Sequence, residues 1–497
     1  MSVSRRTFLR VGGATLAALT ATSCDQLQRT AAPGSRDFSQ GSNAKAEFPL
    51  LPTESVPSPL VYLINRISFG MRPGDYTRIS ALGKTQELAA ARYLEEQLKP
   101  ESIDDSELHA QVRRLEVLAE PLAEMYEYKE NYLLAQLTQA AILRATFSRC
   151  QLQELMVQFW SDHFNIDTSK GECRWLKAAD DRDVIRRHAL GSFPDLLRAS
   201  ALSPAMLWYL DGRVNRKSRP EDKANENYAR ELMELHTLGL HGGYSQRDVM
   251  EVARCLTGWT VRDKNQLRKG IVEFHPEDHD DGAKSVLGHE IPAGLGRGDL
   301  DRVLEIVTLH SSTAQHLATK LCRRFIADSP PSEAIKSVAA TFLSTRGDIR
   351  ATLRTLFQSP EFMAARGVKM RRPFEFIVAA LRATNAACKR PEALMRYLVS
   401  MGHAPYQYPT PEGYSMESAP WMGTLLWRWN FAVALSANRV EGVEVDIPAL
   451  RELYKGNDDA LMTAVLGRTP EPAERDAYHD SGDGLALLLA SPSFQYC

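Results

Sequence analysis

The sequence predicts a mainly α-helical body of several bundles in two lobes, with at most a minor β-hairpin. Three observations carry that prediction. Apolar residues recur at three- and four-residue spacing after Pro59, alternation of the strand type is scarce, and no internal repeat marks a solenoid. The body of roughly 440 residues exceeds a usual single core, which is why two lobes are expected.

In chain order, the helical period runs over 108–118, 132–147, 152–164 and 185–197, then over 304–325, 335–343, 349–356 and 374–383. One strand candidate stands out at 270–274, where Val272 and Phe274 share a face. Between these blocks, Asn225 to His236 is a strong helix former, and Gly239 sits where a left-handed cap would end it. Asn227, Arg230, Glu231 and Glu234 fall on one stripe of that helix, beside an apolar face of Tyr228, Leu232 and Leu235. A second helix starts at Ser245, whose hydroxyl can cap Asp248, and stops at Gly258, making a helical hairpin.

The first segment carries an address. Ser4-Arg5-Arg6-Thr7-Phe8-Leu9 precedes a weakly apolar run from Val11 to Ala21, which reads as a twin-arginine export leader over residues 1–23. That run is too short to span a membrane, which takes about 20 apolar residues. Ala21-Thr22-Ser23-Cys24 has the form of a lipoprotein processing site, so Cys24 is the candidate lipid anchor; simple cleavage near Ala21 is the alternative. Residues 24–59, rich in proline and small polar residues, read as a tether that holds the folded body of 60–497 away from a membrane. The expected location is periplasmic and membrane-tethered.

Composition narrows the partners. The 497 residues include 60 basic and 62 acidic side chains, a formal charge of -2, so no basic field gathers phosphates and nucleic acid is not an expected partner. Cys150, Cys173, Cys255, Cys322, Cys388 and Cys497 are widely spaced with no C-x-x-C pair, which reads as buried small hydrophobes rather than zinc ligands or bridges.

Several motifs together are similar to one family. Tyr62 to Gly70, Phe159-Trp160-Ser161-Asp162-His163-Phe164, Asn225 to Leu232 and Asp248 to Trp259 resemble the bacterial family called domain of unknown function 1800. The likeness continues through His279-Asp280, Lys284 and Gly288, Ser312-Thr313-Ala314 with Lys320-Leu321, Arg372-Pro373-Phe374-Glu375 and Pro411-Glu412-Gly413-Tyr414. It implies a helical exported protein, often encoded beside a sulfatase-like secreted protein, and no established activity. The family's Trp-His-Asn-His-Phe pattern stands here with Ser161 and Asp162 in place of its first histidine and its asparagine.

The candidate chemistry follows. His163, Glu231 and Glu234 are the candidate ligands of a divalent metal, joined by His279 and Asp280 if the segments converge. Asn227 and Arg230 are read as a structural polar network on the same helix; the plain alternative is a solvated, ion-paired face. In the loop His275 to Lys284, His279 held by Asp280 is the candidate general base. Ser161, Asp162 and His163 are adjacent on a helix and point about 100° apart, so they form no relay. Neither Gly-x-Ser-x-Gly nor His-Glu-x-x-His occurs. Gly294 to Asp299 reads as a turn with a cap. The aromatic stretch of Tyr406, Tyr408, Tyr414, Trp421, Trp427 and Trp429 reads as a cover for the helical core, or as a sugar- or peptide-binding wall. Two functions remain open: a metal-assisted hydrolase or related enzyme with a central polar cleft, and a non-enzymatic binding or assembly partner of another exported, sulfatase-like protein.

Overall fold

A computed structural model describes residues 49–497 apart from position 220; the expected leader, Cys24 and the first part of the tether lie outside the described residues. Residues 49–58, also expected in the tether, are fastened to the body. Leu50 N–H donates to Thr77 Oγ1 at 2.8 Å, and Thr469 N–H donates to the Glu54 carbonyl at 2.9 Å.

The fold is mainly α. The expected helices appear at Glu130–Phe147, Gln151–His163, Ser332–Ser344, Ile349–Gln358 and Pro373–Ala383. Two long expectations divide. The 304–325 run becomes Gly298–Thr308 and Ser311–Phe325, because His310 leaves the helical region and its ring accepts from Ser312 N–H as an N-cap. The 185–197 run breaks at Gly191 and Ser192, with a π-helical turn at Asp181–Arg186 before it and the Phe193–Ala201 helix after it. The first expectation shrinks to Ser106–Val112 plus a 3-10 turn at Glu116–Ala119.

The central hairpin forms as expected. Asn227–Glu234 buries Tyr228 and Leu232, and Gln246–Cys255 opens on the reciprocal Ser245–Asp248 capping box. Among the described residues the β-structure exceeds one hairpin: Trp259–Val261 pairs antiparallel with Val272–Phe274, Lys284–Val286 with His289–Ile291, and Ala387–Cys388 with Val443–Glu444.

Pro373–Ala383 is the axis of the body. All eleven residues are buried, as a helix that is apolar nearly all round requires. Its two late-chain charges are satisfied in place: Arg382 donates to the carbonyls of Gly70 at 2.6 Å and Thr146 at 2.7 Å, while Glu375 faces arginines. The described residues 49–497 group as one unit around one large buried cluster, and a small satellite core forms around Leu118, Met125, Leu133 and Leu137. The expected two lobes are therefore one body, because that central helix is shared by the packing on all its sides.

Candidate functional site

The Gln151–His163 helix distributes its polar residues in three directions. Glu154, Gln158 and Ser161, spaced to share one face, line a cavity of ≈ 50 Å³ together with Asn165 just beyond the helix. Asp162 points instead to Arg372, with Oδ2 2.6 Å from Nη1. His163 turns to a third side, where Nε2 lies 3.1 Å from the His236 carbonyl.

Opposite Ser161 the cavity is closed by aromatic and apolar groups, among them Phe69, Phe374, Tyr406 and Tyr414. The strap from Ala404 to Tyr414 is fixed to the helix end by named bonds. Asn165 Nδ2 donates to the carbonyls of Tyr408 and Thr410 at 2.9 and 2.8 Å, Thr168 N–H donates to the Tyr406 carbonyl at 3.1 Å, and Tyr209 Oη–H donates to the Pro409 carbonyl at 3.0 Å. Gly413 makes this approach possible. At its φ of 72° a Cβ would stand 2.0 Å from the Asp162 carbonyl oxygen, so only glycine fits. The aromatic stretch thus covers the core at Tyr414 and Trp421, both buried, whereas Trp427 and Trp429 are exposed.

The walls contain paired charges and unpaired dipoles. Glu154 receives Arg186 Nη1 on both oxygens, at 2.7 and 3.0 Å. Arg372 bridges Asp162 and Glu375, and Arg324 Nη2 lies 3.1 Å from Glu375. Burial pushes the Glu375 carboxyl up, but Arg324 and Arg372 pull it well below the usual carboxylate range. Burial also pushes Asp162 up, and there Arg372 only partly offsets it. His403 accepts from Phe374 N–H on Nδ1 at 3.2 Å, which assigns its proton to Nε2, and burial keeps the ring neutral. Two atoms of the lining residues, Gln158 Oε1 and Ser161 Oγ, are buried without a hydrogen-bond partner, and Arg186 Nε has only the Asp181 carboxylate, 3.5 Å away.

Behind Asp162, three histidines from three segments meet. The His163 ring lies 6.0 Å from His236 and 6.3 Å from His316, centroid to centroid. A carbonyl only accepts, so His163 and His316 each carry the proton on Nε2, bonded to the backbone of His236 and Leu235. His163 Nδ1 and both ring nitrogens of His236 have no partner. Burial, reinforced by Lys320, drives His163 far below the ordinary imidazole value, His236 to about 3 and His316 to about 4. Burial likewise lowers Lys320 to about 8 despite the opposing pull of Asp162.

The expected ligand set does not assemble. Among the described residues no group of three or more His, Cys, Asp and Glu side chains is placed to hold a metal. His163 is fully buried and spends Nε2 on a carbonyl, whereas Glu231 and Glu234 are half-exposed, with burial and then Glu234 raising the Glu231 carboxyl. The expected partnership of His279 with Asp280 is replaced by another. His279 Nδ1 bonds the Thr257 carbonyl at 3.0 Å and its Nε2 faces Asp299 Oδ2 at 3.2 Å, while Asp280 is gripped by Arg254 at 2.8 and 3.0 Å. Lys284 completes this staple with Nζ 2.6 Å from Asp299. The Asn227 and Arg230 network lies at the surface: Arg230 bonds Gln246 at 2.8 Å and pairs with Glu226 at 3.3 Å, tying the hairpin helices together. Asn227 is exposed and donates to the Leu210 carbonyl at 3.1 Å.

His236, His316, Lys320, Arg372, Glu375 and His403 were not singled out as chemistry from the sequence. The signal available was the position of several of them within the long motifs, at Arg372-Pro373-Phe374-Glu375 and beside Lys320-Leu321. A family model described as "Protein of unknown function (DUF1800)" matches residues 62–496. No curated protein and no solved structure matches the chain.

Proposed function

The chain belongs to the DUF1800 family, and from that premise we propose that it is an exported binding protein that takes a small, uncharged polar molecule into the cavity beside Ser161. One observation carries this reading: Gln158 Oε1 and Ser161 Oγ, an acceptor and a hydroxyl of two residues that line one cavity, are buried with no hydrogen-bond partner. Buried polar atoms are seldom left unpaired, so such a cluster marks a place for an occupant. At roughly 10–15 Å³ per water-sized centre, the volume accommodates about three to five such groups. The wall charges already neutralise one another as Glu154–Arg186 and Asp162–Arg372, which favours a neutral ligand over an ion. A metal-assisted hydrolase at His163, Glu231 and Glu234 has less support, since the described residues offer no ligand set.

Export is supported by Arg5-Arg6 before Phe8-Leu9, and tethering by Cys24, both outside the described residues. Cell fractionation of the native chain and of Cys24→Ala tests the tether: the variant is expected to leave the membrane fraction.

The cavity reading is tested by native mass spectrometry and thermal shift with small polyols, amides and sugars. Ser161→Ala and Gln158→Leu are expected to keep the fold and lose binding. If no compound shifts the melting point, and a high-resolution crystal structure shows only water there, the reading fails.

A second reading, an assembly partner of another exported protein of the sulfatase-like kind, is favoured by a different observation. Leu425, Leu426, Trp427 and Trp429 are exposed along the start of Leu425–Ser436, as is Met422 in the turn before it, and the helix's one charged residue, Arg428, is fully buried. Leu426→Glu is expected to abolish co-purification of that partner without affecting ligand binding.

A further inference from the structure

A second, smaller cavity of ≈ 10 Å³ lies apart from the Ser161 wall and is lined by Arg66, Arg324, Arg371, Glu375 and Cys497. Its thiol is set among cations. Arg66 Nη1 donates to Cys497 Sγ at 2.9 Å, while Arg66 itself is 3% exposed and held by the carbonyls of Phe325 at 3.1 Å and Arg324 at 2.9 Å. Arg371, anchored on the Phe494 and Tyr496 carbonyls, stands beside it. Arg324 is also 3% exposed, and its Nε has no partner although it lines the same space.

The other five cysteines of the described residues provide the contrast. Burial pushes Cys150, Cys173, Cys255, Cys322 and Cys388 up to about 12. At Cys497 burial acts in the same sense, but Arg66 and Arg371 outweigh it and the thiol is lowered. None of the six is in a disulfide.

We propose that Cys497 is a peroxide-reactive cysteine, with the guanidinium-lined cavity beside it receiving the terminal hydroxyl of a small hydroperoxide. The thiolate attacks the terminal hydroxyl oxygen. An S–O bond forms, the O–O bond breaks, the sulfur is oxidised by two electrons to a sulfenic acid, and the peroxide leaves as hydroxide or alkoxide, which takes a proton from water. The unpartnered Arg324 Nε–H and the Arg371 guanidinium are the groups available to the negative charge that grows on the departing oxygen. By the same measure of roughly 10–15 Å³ per water-sized group, the ≈ 10 Å³ beside the sulfur takes about one oxygen, so a hydroperoxide enters by its terminal hydroxyl and bulky electrophiles are disfavoured.

The test uses the reduced, folded full chain at pH 7. Near-stoichiometric hydrogen peroxide is added with dimedone to trap sulfenic acid, and adducts are mapped by peptide mass spectrometry. Cys497 is expected to be labelled at least tenfold more than any of Cys150, Cys173, Cys255, Cys322 and Cys388; labelling no greater than theirs overturns the proposal. Alkylation of Cys497 by iodoacetamide as a function of pH gives a second readout on the same unmodified chain. Its inflection is expected below the ordinary thiol value of about 8.5, and a rate that rises only above that value is equally fatal. Arg66→Gln, where far-UV circular dichroism shows it folded, is expected to lose the tenfold selectivity.

Discussion

The His279 staple and the Ser161 wall contain similar residue types and differ in how completely those residues answer one another. In the staple, Thr257 Oγ1 receives Asp280 N–H at 2.8 Å and donates to the Arg254 carbonyl at 2.7 Å, Lys284 reaches Asp299, and of the Asp299, His279, Lys284 and Asp280 side chains only Asp299 Oδ1 is left over. Around the Gln151–His163 helix, orphaned atoms accumulate on both sides: Gln158 and Ser161 at the cavity, His163 and His236 behind it, and Arg372 Nη2 between. A dense run of histidines and acids in sequence therefore marked a fastening, whereas a serine in a helix marked a hydroxyl left without a partner beside a cavity. Unused hydrogen-bonding capacity, not the number of ionisable residues, separates the two.

The largest expected effect tests the fastening. Lys284→Met leaves Asp299 buried with His279 alone and should cost about 3–5 kcal/mol in chemical denaturation. Asp162→Asn should cost less, about 1–3 kcal/mol, because Arg372 keeps Glu375. The reverse order would undo the comparison.

Acid sharpens it next. His236 and His316 have folded-state values of about 3 and about 4, below the ordinary imidazole value near 6.5. Their contribution is thus fully present above pH 6.5 and lost as pH falls towards those values. Stability should decline by up to about 1.4 kcal/mol per pH unit for each ring across that window. His236→Gln should flatten the decline, as read from urea midpoints at pH 4 to 7.

The smallest effects give the cleanest contrast. Thr257→Val removes a satisfied hydroxyl and should cost about 1–2 kcal/mol. Ser161→Ala removes an orphaned one and should leave stability within about 0.5 kcal/mol while ligand binding is lost. Equal costs at the two positions would mean that Ser161 has a partner in solution.

Much of this architecture was legible in the sequence because it is local. The period of 152–164, the Ser245–Asp248 box and the stop at Gly258 each depend on neighbours within a few residues. The divergence of Ser161, Asp162 and His163 was likewise readable from helix geometry, and the three do face the cavity, Arg372 and His236. What each of them meets was not readable. Asp162 and Arg372 are separated by 210 positions, and the histidine cluster joins three separate segments. Nor does periodicity reveal which groups remain without a partner, since that depends on every neighbour being in place. The division at His310 was missed for a subtler reason: the apolar period continues across it, and only the imidazole cap interrupts the backbone.

The bond between Arg66 and Cys497 joins positions 431 residues apart, and Arg371 receives its anchors from residues 494 and 496. A ribosome has to deliver residues 494–497 before Arg66 can find its final neighbours. The contacts of Arg66 with Cys497 are therefore a late step of assembly, and pairing over such long loops is slow. The nascent body waits with its earliest-made helix incompletely packed, and final closure comes only after synthesis has passed residue 497.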